Sequence, residues 1–160
     1  VIEEVSIPDD RKGVLIGRDG SFKAELEKMS RTSISVNEGV AIEGDDPLTV
    51  MRAAWVVRAV GRGFSPEKAI LLLKEDYHLR IISIREESDK AIRRLMARVI
   101  GRKGATRRIL EHDTNCLISV YGKTVSIIGR AGEIPAAEEA VESLIRGRSH
   151  GYVYARLRKG

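Results

Sequence analysis

Apolar positions alternate between strand-like and helix-like spacing along this chain, and the same order of elements comes round twice. Residues 4–7 alternate and read as a short strand. From Arg11 one or two helical turns run into Gly17, and a second helix covers about 22–29. Residues 32–36 and 40–42 read as two strands. Asp46 then caps a helix whose first position is Pro47, where a missing N–H costs nothing. That helix carries Val50, Ala53, Ala54, Val57 and Val60 at core-facing spacing and stops near Gly61. The second round begins with a strand over 79–84. Ser88 or Asp89 starts a helix with Ile92, Leu95, Met96, Val99 and Ile100 on its apolar face. A helix over 106–111, a hairpin turning at Gly122 and Lys123 between strands 117–121 and 124–128, and a closing helix over 135–146 follow. Each round therefore predicts strand-helix-helix-strand-strand-helix, an α+β fold.

Identity along the chain makes the repeat firmer than pattern alone. Ile16-Gly17-Arg18-Asp19-Gly20 recurs 84 positions later as Ile100-Gly101-Arg102-Lys103-Gly104, and residues 16–36 match 100–120 at 9 of 21 positions without a gap. Self-similarity over so long a stretch reads as duplication of one supersecondary unit. Between the copies, Ser65 and Pro66 open a short, strongly apolar helix through Leu73, expected to pack on one or both copies and join them into one rigid unit. The expected domains are 1–63 and 79–152, with a linker helix over 64–78 and a basic tail over 153–160. That tail adds an edge strand or frays.

Charge separates the copies. The net charge of +5 divides into −2 over residues 1–80 and +7 over 81–160. From Lys90 to Arg108 there are eight basic residues and no acidic one, so the second half is where a polyanion is expected to bind. A helix laced with salt bridges would intersperse carboxylates there. Aromatic residues make up only 4%, so base stacking is not the expected main mode, and Trp55 is expected in the core.

Other chemistries find little support. The one cysteine, Cys116, lies in an apolar strand and is expected to be a core residue. His78, His112 and His150 lack metal-ligand spacing. No acidic cluster, histidine pair or nucleophile–base motif appears, so no catalytic residue, metal or cofactor is expected. A Walker-type nucleotide loop is excluded by its missing motif. The chain has no run of 18 apolar residues and no basic-then-apolar leader pattern, which leads to the expectation of a cytoplasmic protein without a membrane partner.

Two of the three G-x-x-G sequences lie between helices and directly after an isoleucine. Glycine there admits positive φ and lets the backbone approach a phosphate, while the next helix aims its open N–H groups at the same place. The third, Gly129 to Gly132, follows a strand and reads as a plain strand-to-helix loop.

The order of elements together with Ile-Gly-Arg-x-Gly resembles the type I K-homology (KH) domain in both halves. The resemblance implies two three-stranded antiparallel sheets, each with helices on one face, and non-catalytic binding of single-stranded RNA through a backbone clamp and an apolar base groove. Carried over, the clamps are Gly17, Arg18 and Gly20, and Gly101, Arg102, Lys103 and Gly104. Arg94, Arg98, Arg107 and Arg108 are expected to support the second clamp. Ile16, Ile34 and Val36 would line the first groove, and Ile100, Ile118 and Val120 the second. Asp19, next to Arg18, weakens the first clamp.

Three further stretches, Gly61 to Ala69, Val120 to Val125 and His150 to Tyr154, are similar to motifs of one tandem KH family. These are the small-subunit ribosome assembly factors of the KRR and partner-of-Nob-one type. That resemblance implies ribosomal RNA near the small-subunit 3′ end as ligand, with a maturation nuclease and an initiation-factor alpha subunit as partners. The competing expectation is a protein-binding adaptor in which one KH copy serves as scaffold.

Overall fold

A computed structural model of the chain describes residues 1–86 and 88–159. The chain divides into two compact units, Val1–Tyr77 and His78–Gly160. In the first, β1 (Ile2–Val5), α1 (Asp9–Ile16), α2 (Ser21–Ser30), β2 (Ser33–Val36), β3 (Val40–Glu43) and α3 (Pro47–Gly61) follow the expected order. The second repeats it with β4 (Tyr77–Ser83), α5 (Asp89–Ile100), α6 (Ala105–Thr114), β5 (Leu117–Tyr121), β6 (Thr124–Arg130) and α7 (Ile134–Ile145). The sheet orders are β1-β3-β2 and β4-β6-β5. Antiparallel pairing places Ile34 opposite Ile42 in one and Ile118 opposite Ile127 in the other.

Local chemistry sets the element ends. Asp46 Oδ1 accepts from the Leu48 N–H at 3.0 Å with Pro47 beside it, and Ser88 Oγ accepts from the Ala91 N–H at 3.1 Å. Both caps stand where the sequence placed them. β1 sits two residues earlier than expected, because Val5 and Ile7 turn into the core while Ile2 stays on the sheet edge.

The duplication reaches individual hydrogen bonds. Ser30 Oγ donates to the Leu26 carbonyl at 2.6 Å, and Thr114 Oγ1 donates to the Leu110 carbonyl at 2.7 Å. Each of these helices then ends on a left-handed residue, Arg31 or Asn115. In the second unit Ile92, Leu95, Val99, Leu110, Ile118, Val125, Ile127, Val141 and Leu144 form one buried cluster between helices and sheet.

Two stretches differ from expectation. The apolar segment after Gly63 is a single turn, α4 (Pro66–Ala69), running into a 3₁₀ turn over Ile70–Leu73, and both pieces pack on α3 within the first unit. The tail is neither an edge strand nor frayed; it is a helix, α8 (His150–Lys159), docked on α6 and α7. Ser149 Oγ accepts from the Tyr152 N–H at 3.1 Å and starts it, and Val153 is buried beneath it.

Candidate nucleic-acid interface

The two glycine loops have nearly the same backbone. Gly17 lies at φ 77°, ψ 178° and Gly101 at φ 74°, ψ 176°, a region that only glycine occupies readily. Asp19 and Lys103 are both left-handed at φ 53°, ψ 29°, and Gly20 and Gly104 follow at φ 75° and 78°. No side chain caps α2 or α6; the first N–H of each, on Ser21 or Ala105, turns back onto the carbonyl of Arg18 or Arg102, and the next, on Phe22 or Thr106, lies against the first glycine. Each loop also sits at the positive dipole end of the helix that follows it, a placement that favours a nearby anion.

Charge is what distinguishes them. Asp19 and Lys103 occupy the same backbone position with opposite sign, and both are exposed. Arg18, Arg102, Lys103 and Arg94 are exposed and have no carboxylate partner among the described residues. Arg108 is exposed too, but its Nη1 donates to the Lys103 carbonyl at 2.9 Å and ties the second loop to α6.

Two expected phosphate ligands are engaged elsewhere. Arg98 donates from Nε to the Leu144 carbonyl at 3.0 Å and from Nη2 to the Arg148 carbonyl, stapling α5 to the end of α7. In the first unit Arg11 does the same for α1, donating to the carbonyls of Val60 at 2.7 Å and Phe64 at 2.9 Å. Arg107 pairs with Glu111 at 3.0 Å, and the other Glu111 oxygen accepts from the Ile118 N–H at 2.8 Å. Lys23, Glu27 and Ile34 repeat that chain 84 residues earlier, at 3.3 and 2.7 Å. These carboxylates close the outer edges of β2 and β5, where a bare N–H would otherwise face solvent. Arg98 and Arg107 are thus both engaged within the fold.

The groove assignment divides as well. Ile34 and Ile118 are buried at 3% and 2% exposure and belong to the core. Ile16 and Val36 in the first unit, and Ile100 and Val120 in the second, are half-buried and keep part of their apolar surface accessible. Trp55, expected in the core, is half-buried beneath the Arg52 guanidinium at 5.7 Å.

Sequence reasoning missed a set of contacts behind the second loop. Tyr154 of α8 donates its hydroxyl hydrogen to Thr106 Oγ1 at 3.0 Å, and His150 Nε2 lies 2.9 Å from the Arg98 carbonyl. The Ser149 cap followed by apolar positions 153 and 157 was the readable signal for this helix.

Cys116 is 2% exposed, and burial pushes its thiol pKa up, so the thiolate is scarce. A disulfide-exchange reagent is expected to label it at least tenfold more slowly in native protein than in denaturant. Absorbance of the released thiolate measures this; equal rates would show the strand to be open. Gly129, in the third G-x-x-G, lies directly under the same sulfur, where a Cβ would come within 2.5 Å of Sγ. Unlike the first glycine of the other two loops it has no positive φ, so this stretch is indeed a strand end. Among the described residues no group of three His, Cys, Asp or Glu is arranged to hold a metal ion, and no helix is long and apolar enough to cross a membrane.

Residues 2–58 match the KH-domain family model, and residues 78–160 match the model for the second KH domain of PNO1, described as a eukaryotic type KH domain of type I. A KH domain-containing protein of Methanocaldococcus jannaschii is 44% identical over 99% of this chain and 73% of its own length. The chain belongs to the tandem KH-domain family of the Pno1 and Dim2 proteins. Dim2p from Pyrococcus horikoshii superposes with a TM-score of 0.92 at 44% identity, covering 100% of this chain and 99% of that one. A second structure of that protein, in a complex with a/eIF2alpha and rRNA, gives 0.92 at 45% identity over 99% and 93%. The pre-rRNA-processing protein pno1 of Aspergillus fumigatus is 33% identical over 87% of the chain, which spans only 54% of that relative. The chain thus covers about half the length of the fungal relatives. The glycine loop of its second KH domain carries Lys103 where that of the first carries Asp19.

Proposed function

We propose that this protein binds single-stranded ribosomal RNA during small-subunit assembly, near the 3′ end of that RNA, and that the loop from Gly101 to Gly104 is the principal phosphate clamp. The carrying observation is the pair of loops with one backbone and opposite charge: Lys103 stands where Asp19 stands, next to exposed Arg102 and with exposed Arg94 on the preceding helix. Binding of this kind needs no activated nucleophile, only oriented N–H groups and cations, and the role is that of a non-catalytic assembly factor. The Dim2p complex with rRNA and a/eIF2alpha supports both the ligand class and an initiation-factor alpha subunit as partner. A maturation nuclease as further partner rests on the family resemblance.

Fluorescence anisotropy with a labelled single-stranded RNA from the small-subunit 3′ end tests the clamp. Arg102→Asp/Lys103→Asp is expected to weaken binding at least tenfold at low salt. It should also make the slope of log K against log salt shallower by about 1.4, at about 0.7 per lost phosphate contact. Equal affinity and slope would refute the clamp. The acid-bearing first loop favours a second reading in which the first KH domain is chiefly a protein-binding scaffold. In that case Arg18→Asp leaves RNA affinity unchanged.

A further inference from the structure

We propose that α8 is the positioning element of the second clamp, with Tyr154 and His150 acting through Thr106 and Arg98 to hold the loop in its RNA-binding shape. The idea rests on the clamp reading above, and it assigns a role to a helix that no phosphate contact requires.

The link from α8 to the loop passes beneath Gly101. A Cβ on that residue would lie 2.1 Å from Thr106 Oγ1, so the threonine hydroxyl sits directly against the first glycine of the loop. Thr106 is buried at 4% exposure, where a hydroxyl needs a partner. That partner is the Tyr154 hydroxyl at 3.0 Å. A chain of contacts therefore runs from α8 through one buried hydroxyl to the loop backbone.

A second strut reaches the other side of the loop. His150 Nε2 is 2.9 Å from the Arg98 carbonyl, in the last turn of α5, about 4.5 Å of helix rise before Gly101. The Arg98 side chain separately fastens α5 to the end of α7, donating to the carbonyls of Leu144 and Arg148. Both helices that flank the loop, α5 and α6, are thus tied to α8 by hydrogen bonds. Within the loop Lys103 is held left-handed without being glycine or asparagine, and the Arg108 bond to its carbonyl adds to the bracing.

The first unit shows what the loop looks like without this device. Phe22 occupies the position of Thr106, buried and without a hydroxyl, and the Gly17 contact is to its backbone nitrogen and Cβ. That loop rests on the Phe22 nitrogen and Cβ and, at 3.3 Å, on Ser21 Oγ, with no hydroxyl in the place of Thr106 Oγ1. A phosphate clamp gains affinity when its donors are held before the ligand arrives, since less ordering remains to be done on binding. The braced loop is also the one with Lys103, so rigidity and charge coincide on one clamp.

The test compares Tyr154→Phe, Thr106→Val and the double variant, with Thr106→Ser as the conservative control. Two readouts are used: amide hydrogen exchange of residues 103–106 without RNA, and anisotropy with the single-stranded RNA above, well below the melting temperature. Each single variant is expected to raise exchange in the loop about tenfold and to weaken RNA binding about fivefold. The double variant should be no worse than either single one, because both remove the same link. Thr106→Ser should keep the unmodified values. A fall in melting temperature with unchanged loop exchange and unchanged RNA affinity would overturn the proposal, leaving α8 a stabilising helix only. Faster loop exchange in a protein that binds no RNA even when unmodified would instead retain the bracing and refute the clamp.

Discussion

Gly101→Ala is expected to lower the stability of the second unit by about 3 kcal/mol and to abolish RNA binding at the second loop. Two costs combine. A φ of 74° with ψ near 180° is open only to glycine and strains any other residue by about 1–3 kcal/mol. In addition the new Cβ would lie 2.1 Å from Thr106 Oγ1 and 2.7 Å from the Thr106 nitrogen, and the second of these is backbone that cannot rotate away. Forcing a methyl into such a contact costs about 1–3 kcal/mol more. Gly104→Ala is the control. Its φ is also positive, but its Cβ would meet only Arg108 Nη1 at 3.1 Å, the far end of a flexible side chain. A single left-handed alanine costs about 1–2 kcal/mol. Thermal melting followed by circular dichroism should separate the two, since about 1 kcal/mol moves a small domain by roughly 4–8 °C. If both variants melt together, the loop relaxes freely and Gly101 has no special role.

Two arginines one helical turn apart on α5 are expected to behave in opposite ways. Arg98→Ala removes a half-buried guanidinium that donates to two carbonyls and leaves both without that donor. Hydrogen bonds involving a charged group contribute about 1.5–3 kcal/mol, so a loss of about 2–3 kcal/mol is expected. Arg98→Lys should recover only part of it, because an ammonium cannot reproduce the fork. Arg94→Ala is exposed and should alter stability by less than about 0.5 kcal/mol. It should nevertheless weaken RNA binding and lower the salt slope by about 0.7, one phosphate contact. Urea denaturation and salt-dependent anisotropy on both variants check this. A stable Arg98→Ala protein with weakened RNA binding would show that Arg98 faces the ligand after all.

Much of this architecture was legible because it was written twice. The recurrence of Ile-Gly-Arg-x-Gly located both loops, and the flanking helices showed that the third G-x-x-G was of another kind. Caps at Asp46 and Ser88 were readable because a short polar side chain before an apolar helix has one common use. What failed was deciding where each arginine points. Arg98 and Arg107 belong to a run without acids, yet one finds carbonyls 46 and 50 residues away and the other finds Glu111 just past the end of the run. The second pairing was readable from its four-residue spacing; the first was not, since backbone acceptors leave no mark in sequence. Ile34 and Ile118 alternate on their strands with residues that stay accessible, and alternation alone does not separate core from groove. The last helix was missed because Tyr152-Val153-Tyr154 has strand propensity, which Ser149 and the packing of Val153 on the unit override.

The measurement closest to the central claim is an amide chemical-shift titration of the isotope-labelled protein with a short single-stranded RNA from the small-subunit 3′ end. The largest shifts are expected at residues 101–106, the loop and the first turn of α6, with smaller ones at Val120 and at residues 17–22. Shifts confined to the first loop, or spread over the surface without a maximum at Gly101 to Thr106, would contradict the assignment of the second KH domain as the principal clamp.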